Sequence, residues 1–238
     1  MNIALIIAGG VGNRMKQDIP KQFLNIYDKP VIVYTLEAFQ KHPSVDAIYV
    51  SCLEGWETIL KAYAEQFNIT KLKGIVTASK TPQESIYKGL TRIKEDGYTE
   101  DDLVMIHDGI RPMISADIIS ENISTCKKYG NAITIIPCAE VMVLTSDQLT
   151  STETILRDNL KRTQTPQTFP LGKILEVHNK AIEKGIHNTT ASVSLFIEMG
   201  EKVYFASGSE KNVKLTTVDD IDIFKALLTI KDSEWLKK

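Results

Sequence analysis

The chain has few of the residues that staple small or secreted folds. Its 238 residues include only 3 Cys (Cys52, Cys126 and Cys138) and 4 His. The cysteines are odd in number, far apart and form no CxxC pair, so neither a disulfide framework nor a structural zinc site is expected. They read as buried, reduced thiols, which behave as small hydrophobes. No apolar run approaches the ~18 residues that cross a bilayer. The apolar opening Asn2-Ile3-Ala4-Leu5-Ile6-Ile7-Ala8 lacks a basic flank and runs into Gly9-Gly10, so it reads as a first buried strand and not a signal peptide. With 13 Gly and 8 Pro the chain is neither collagenous nor of low complexity. Neither sign of charge dominates. Twenty-eight basic against 30 acidic residues leave a net charge of −2, which implies no broad polyanion-binding surface but leaves room for a local basic site. A soluble, cytoplasmic protein is expected, with no membrane or nucleic-acid partner.

What is present is an ordinary globular composition, 43% hydrophobic and 24% charged, in a chain long enough to bury a core without staples. Short β-branched runs alternate with amphipathic stretches. Strands are expected at Ile3 to Ile7, Val45 to Val50, Gly74 to Thr77, Leu103 to His107 and Ala132 to Pro137. Between them, helical spacing covers Val31 to Gln40, Trp56 to Gln66, Glu84 to Lys94 and Ala116 to Tyr129. Ser115 and Gly130 are positioned to cap the last of these. Such alternation argues βαβ units and a mostly parallel sheet with helices on both faces.

The rhythm breaks between about Cys138 and Leu160. Val141-Met142-Val143-Leu144 and Glu153-Thr154-Ile155-Leu156 flank a turn at Ser146-Asp147-Gln148, which reads as an extended hairpin, either an oligomerisation arm or an exposed surface hairpin. Helices follow at Leu171 to Lys184 and near Ala191 to Met199, then strands near Val203 and Val213. A last helix starts at Thr217, with Asp220 placed for a capping box. With no internal repeat or linker, 1–238 reads as one domain.

Three segments carry chemistry. Ala8-Gly9-Gly10-Val11-Gly12-Asn13-Arg14-Met15 follows the first strand, where a Gly-rich turn can aim N–H groups at phosphate oxygens. The dinucleotide fingerprint would need Gly where Met15 stands and an acid ending the second strand, which weighs against a nicotinamide-dependent oxidoreductase. The Lys-Ser/Thr ending of a P-loop is absent too. Arg14 and the Lys21 of Pro20-Lys21-Gln22 place two cations beside the Gly loop, an arrangement suited to a triphosphate. In His107-Asp108-Gly109-Ile110-Arg111-Pro112, Asp108 ends an apolar strand, where a carboxylate can hold Mg²⁺ against phosphates; His107 reads as structural. Asn212-Val213-Lys214-Leu215-Thr216-Thr217 presents one further lysine.

These segments, with Pro20-Lys21-Gln22-Phe23-Leu24 and Gln164-Thr165-Pro166-Gln167-x-Phe169, occur in an order and spacing that resemble one cytidylyltransferase family. That family includes 2-C-methyl-D-erythritol 4-phosphate (methylerythritol phosphate) and ribitol-5-phosphate cytidylyltransferases, and the resemblance runs from Asn2 to about Leu228. It implies a Rossmann-like domain, a protruding β-arm that embraces a partner subunit in a homodimer, and Mg²⁺-dependent use of CTP. By position, Arg14 and Lys21 would grip the triphosphate, Asp108 would bind Mg²⁺, and Lys214 would steady the α-phosphate. Ala8, Gly9, Gly10, Ser85 and Gly109 would surround the cytosine. Arg111 and the arm residue Arg157 would meet the sugar phosphate, Arg157 in the neighbouring subunit's site.

The sequence departs from the methylerythritol branch at Glu140-Val141, where that branch has Asp-Thr, and at Lys80-Thr81-Pro82. It departs again at Thr190-Ala191-Ser192-Val193-Ser194, where that branch has Thr-Asp-Glu-Ala-Ser. Trp56 and Thr216-Thr217 look more like the ribitol branch. The expectation is a ribitol 5-phosphate-like acceptor, with methylerythritol phosphate as the alternative and a non-catalytic nucleotide-binding relative as a more distant one.

Overall fold

The sheet is organised around β1 (Asn2–Ala8), and its side chains show why. Ala4, Ile6 and Ala8 face one apolar cluster and Ile3 and Leu5 face another, the period-two alternation of a strand covered on both sides. These features come from a computed structural model, which describes residues 1–10 and 19–230. Arg14, one of the expected triphosphate ligands, lies outside the described residues.

The remaining strands are β2 (Asn25–Ile26), β3 (Lys29–Pro30), β4 (Ala47–Cys52), β5 (Leu72–Thr77), β6 (Leu103–Asp108), β7 (Ala132–Pro137), β8 (Met142–Leu144), β9 (Glu153–Ile155), β10 (Lys161–Pro170) and β11 (Phe205–Ser207). The helices are α1 (Val31–Lys41), α2 (Glu57–Gln66), α3 (Pro82–Glu95), α4 (Ala116–Tyr129), α5 (Leu171–Glu183), α6 (Ser192–Glu198) and α7 (Val218–Thr229). Seven strands form the main sheet in the order β11-β7-β10-β6-β1-β4-β5. All its pairings are parallel except those of β10, which runs antiparallel to both neighbours.

Helices α1, α2 and α4 cover one face through Leu36, Phe39, Leu60 and Ile119. Helices α3, α5 and α6 cover the other through Leu90, Ile174 and Phe196. A third, smaller cluster seats α7 by Ile221 and Phe224 against Val31, Ile110 and Leu215. Among the described residues no helix is long and apolar enough to cross a membrane. All three cysteines are free and buried, and burial pushes the Cys52 and Cys126 thiols up to about 12.

The expected caps are in place. The Ser115 hydroxyl accepts from the Ile118 N–H, Gly130 closes α4 at φ 90°, and Thr217 with Asp220 forms a reciprocal capping box. One expectation differs. No strand forms near Val213, where the chain is irregular, although the strand expected near Val203 is present as β11. The central strand β10 had no counterpart in the sequence reading. Its Lys-Arg-Thr-Gln-Thr-Pro-Gln run has no apolar alternation, and Pro166 argues against a central strand. Its ladder to β7 shifts register between Thr163 and Gln167, and that irregularity accommodates the proline. Polar partners replace apolar packing there, with Asn122 bridging the hydroxyls of Thr134 and Thr168 at 2.6 and 3.0 Å. The hairpin of β8 and β9 forms a separate two-stranded sheet, with Val141, Leu149 and Leu156 74%, 90% and 75% exposed.

His178 on α5 is buried against Tyr87 of α3, rings stacked at 5.7 Å, and neither ring nitrogen has a hydrogen-bond partner. Burial pushes its pKa from 6.5 down to about 4. Below 6.5 the unfolded imidazole binds a proton that the folded one does not, so stability falls as pH drops from 6.5 towards 4. At pH 5 this one group costs about 2 kcal/mol relative to pH 7.5. Urea unfolding of His178→Leu at both pH values is expected to show a smaller acid loss than wild type by about that amount. Equal losses in both proteins would contradict the assignment.

Candidate active site

The chain leaves β1 for β4 on one side, continues to β5, and returns to β6 on the other side of β1. The carboxyl ends of β1 and β6 therefore border a topological switch point, the place where open α/β sheets bind ligands. Ala8-Gly9-Gly10 and Asp108 stand there, with Ile7 and Asp108 in register across the pair.

The Gly loop is packed closely. A Cβ on Gly9 would stand 2.3 Å from the Cβ of Ala78, so the β1 loop and the segment after β5 touch only because residue 9 is Gly. Gln22 is buried, and its Nε2 donates to the carbonyls of Ala8 at 2.8 Å and Gly10 at 3.0 Å. This ties the short 3-10 turn Lys21–Phe23 to the Gly loop and places Lys21 beside it, as expected. Phe23 in turn stacks on Trp56 at 4.6 Å. The Ser85 hydroxyl accepts from the Ser79 N–H at 2.9 Å and donates to the Thr81 carbonyl at 2.8 Å, so it shapes the loop facing Gly9. Gly109 packs against Ala8, and its carbonyl accepts from the buried Thr35 hydroxyl at 3.1 Å.

Asp108 is the centre of an ionic cluster. Its Oδ2 accepts from Arg111 Nε at 2.9 Å and its Oδ1 from Lys214 Nζ at 3.0 Å. Burial opposes ionisation of this carboxyl, but the Lys214 ammonium and Arg111 guanidinium prevail and hold it below the usual carboxylate range. Arg111 also donates to the Asn212 carbonyl at 2.8 Å. One carboxylate facing two cations leaves a net positive crevice, suited to anionic ligands.

A buried chain of hydrogen bonds supports the cluster. The Asp108 N–H donates to Thr165 Oγ1 at 3.0 Å, and Thr165 Oγ1 lies 3.1 Å from His107 Nδ1. His107 Nε2 lies 3.2 Å from the Arg111 carbonyl, which can only accept. The proton is therefore assigned to Nε2, and Nδ1 accepts from the Thr165 hydroxyl. Burial pushes the His107 pKa down to about 4, so the ring is neutral and structural, as the sequence suggested.

The structure thus brings Asp108, Arg111 and Lys214 together, packs Gly109 on Ala8, and ties the turn of Lys21 and the loop shaped by Ser85 to the Ala8-Gly9-Gly10 segment. Arg157 is not part of this cluster. It lies on the arm, where its guanidinium donates to the Ala139 carbonyl at 3.3 Å. The sequence alone assigns no role to Gln22, Thr35 or Thr165. Gln22 and Thr165 lie within motifs, whereas Thr35 looks like any helical threonine.

Sheet, loop and cluster together define a class: an α/β fold with a cationic cluster and a Gly loop at its switch point, an arrangement suited to anionic ligands. Over residues 2–230 the sequence matches the family described as 2-C-methyl-D-erythritol 4-phosphate cytidylyltransferase. A protein of Vibrio parahaemolyticus named ribitol-5-phosphate cytidylyltransferase is 41% identical over 98% of this chain and 98% of its own. One of Clostridium novyi named 2-C-methyl-D-erythritol 4-phosphate cytidylyltransferase is 34% identical over 95% of this chain and 96% of its own. The crystal structure of 4-diphosphocytidyl-2C-methyl-D-erythritol synthase from Anaerococcus prevotii superposes with a TM-score of 0.80 at 26% identity, covering 95% of each chain. The chain belongs to this cytidylyltransferase family of nucleotidyltransferases.

Replacing Thr165 by Val keeps the side-chain shape but strands the buried Asp108 N–H and His107 Nδ1. Unfolding free energy is expected to fall by about 1 to 3 kcal/mol, with most of it retained in Thr165→Ser. Denaturant titration of both variants measures this, and a Val variant as stable as the Ser variant would refute the hydrogen-bond chain.

Proposed function

We propose that this chain transfers a cytidylyl group from CTP to ribitol 5-phosphate, with release of pyrophosphate. The observation that carries the reading is the Asp108–Lys214–Arg111 cluster at the carboxyl ends of β1 and β6, beside the Gly loop and Lys21. A phosphate oxygen of the acceptor attacks the α-phosphorus of CTP in line, the new P–O bond forms, and the bond to the β-phosphate bridging oxygen breaks. The nucleophile is already anionic, so no general base is required. The barrier is the crowding of negative charge. Lys214 and Arg111 would face the α-phosphate and the acceptor phosphate, and Lys21 with Arg14 the triphosphate.

Asp108 also fits a role in holding Mg²⁺. No cluster of three or more His, Cys, Asp or Glu occurs among the described residues, so an all-protein cage is not built there. A single carboxylate sharing the ion with triphosphate oxygens matches how Mg²⁺ is commonly bound in nucleotide enzymes. The bound ion would neutralise phosphate charge.

Ribitol 5-phosphate is favoured over methylerythritol phosphate by the 41% against 34% identity and by Val141 and Ala191. Val141 lies on the arm beside β8, and Ala191 caps α6 without a side-chain hydrogen bond. At those positions the methylerythritol branch carries polar groups, so its acceptor would lose partners here. The exposed apolar arm suits a homodimer, in which Arg157 reaches the neighbour's crevice.

Pyrophosphate release with CTP and Mg²⁺ is expected with ribitol 5-phosphate, at a kcat/KM about 10²-fold above methylerythritol 4-phosphate. Lys21→Ala and Arg14→Ala should each lower turnover by roughly 10² with unchanged melting. Turnover near wild type in these variants would remove the triphosphate assignment, and preference for methylerythritol phosphate would reverse the branch.

The trans role of Arg157 has its own test. Mixing inactive Arg157→Ala with inactive Lys21→Ala subunits should restore activity through hybrid dimers. Monomeric behaviour in light scattering, or mixtures that stay inactive, would refute it.

A further inference from the structure

The motif Gln164-Thr165-Pro166-Gln167 has a residue that the proposed chemistry does not use, and its surroundings indicate a task. We propose that Gln164 is a positioning residue that seats the segment carrying Lys214 and so sets its ammonium against Asp108. The proposal rests on the catalytic reading of Lys214 given above.

Between the end of β11 at Ser207 and the start of α7 at Val218 the chain has no regular secondary structure, so no continuous ladder fixes residues 208–217. The Gly208 and Leu215 N–H groups donate to the Ile135 and Ile110 carbonyls at 2.8 and 2.9 Å and tie its two ends. Gln164 holds the stretch between them. It is buried, within the irregular stretch of β10. Its Nε2 donates to the Ser209 carbonyl at 2.9 Å and its Oε1 accepts from the Ser209 N–H at 3.3 Å, the pairing a neighbouring strand's peptide group would make. The same Oε1 accepts from Asn212 Nδ2 at 3.3 Å, and Nε2 lies 3.5 Å from the Asn212 carbonyl. Both amide hydrogens and both acceptor lone pairs are thereby spent on one segment.

Asn212 is fully buried, and its Nδ2 donates as well to the Thr165 carbonyl at 2.9 Å. Two residues on, the Lys214 ammonium sits 3.0 Å from Asp108 Oδ1. The seat is also tight, since a Cβ on Gly208 would stand 2.5 Å from Gln164 Oε1. Only a Gln meets all these demands. Glu cannot donate to the Ser209 and Asn212 carbonyls, Asn is one methylene short, and Leu fills the space but leaves the segment's polar groups unpaired. Misplacing a catalytic cation by about 1 Å is enough to cost orders of magnitude in rate.

The test is a double-mutant cycle on pyrophosphate release at saturating CTP and acceptor. Gln164→Leu is expected to lower kcat by about 10- to 10²-fold while the KM for CTP changes less than about threefold. Lys214→Gln should lower kcat by about 10² or more, and the double variant should be no slower than Lys214→Gln alone, because a residue acting through Lys214 has nothing left to position. Should Gln164→Leu fold poorly, Gln164→Glu runs the same cycle with nearly unchanged volume. Wild-type kcat in the Gln164 variant, or a double variant slowed by the product of the two single effects, overturns the positioning role and leaves Lys214 catalytic. Wild-type kcat in Lys214→Gln overturns the catalytic reading of Lys214 itself, and the proposal with it.

Discussion

The Asp108 carboxylate, held between Lys214 and Arg111, is the interaction on which the rest of the site depends. It joins the end of a central strand to a segment 106 residues away that has no secondary structure of its own. Bringing three charges into a partly buried crevice costs desolvation, and the attraction offsets this only where geometry is good and remaining polar groups are satisfied. The geometry is good, with contacts of 2.9 and 3.0 Å, and the neighbouring backbone is tied down by Thr165 and His107, while the buried Asn212 Oδ1 is left without a partner. The excess of one cation is the useful remainder. On the proposed reading, an anionic ligand that draws Lys214 or Arg111 away from Asp108 would replace one charge contact by another, so the same pairs that hold the empty site together would leave cations available to phosphate.

This dependence explains the most unusual feature of the sheet. Apart from Phe169, which packs on Phe196, the polar, proline-containing strand β10 forgoes apolar burial inside an α/β sheet. β10 makes up for it with side chains that reach out of the strand: Thr165 to Asp108 and His107, Gln164 to Ser209 and Asn212, and Gln167, whose Oε1 accepts from the Val193 N–H at 2.9 Å. Those three side chains reach the carboxylate loop, the Lys214 segment and the start of α6. β10 is therefore less a packing element than a frame that fixes three loops relative to one another, which a run of Val and Ile could not do.

The same division decides what was legible in the sequence. β1, β4 and β6 were readable because apolar runs of that length have few alternatives, and α4 and α7 because Ser115, Gly130, Thr217 and Asp220 announce their ends locally. Asp108 and Lys21 stood out as candidates, since charge at a strand end or beside a Gly turn is conspicuous, whereas Lys214 was singled out only by the resemblance to the family. β10 was not readable, because its strand conformation is set by partners far along the chain and not by its own periodicity. For the same reason Lys214 was placed on a strand near Val213, whereas long-range hydrogen bonds hold it in an irregular segment. Local signals report local causes, and the precise part of this site is built from contacts more than 40 residues apart.

The arm shows the opposite arrangement. Within β8, β9 and the turn between them, nearly every polar contact is local, with Asp147 accepting from Leu149, Thr150 and Thr145. Its apolar residues have no partner in the described part of this chain that would bury them. A hairpin that satisfies its own backbone but exposes Val141, Leu149 and Leu156 is stable in shape and unfinished in packing, since isolated two-stranded hairpins are marginal in water. On the proposed reading the missing burial comes from a second copy, and Arg157 enters the neighbouring crevice with it. Chemistry and acceptor choice would then rest on different kinds of structure: the first on a rigid switch point framed by β10, the second on an arm free to change sequence without disturbing the sheet.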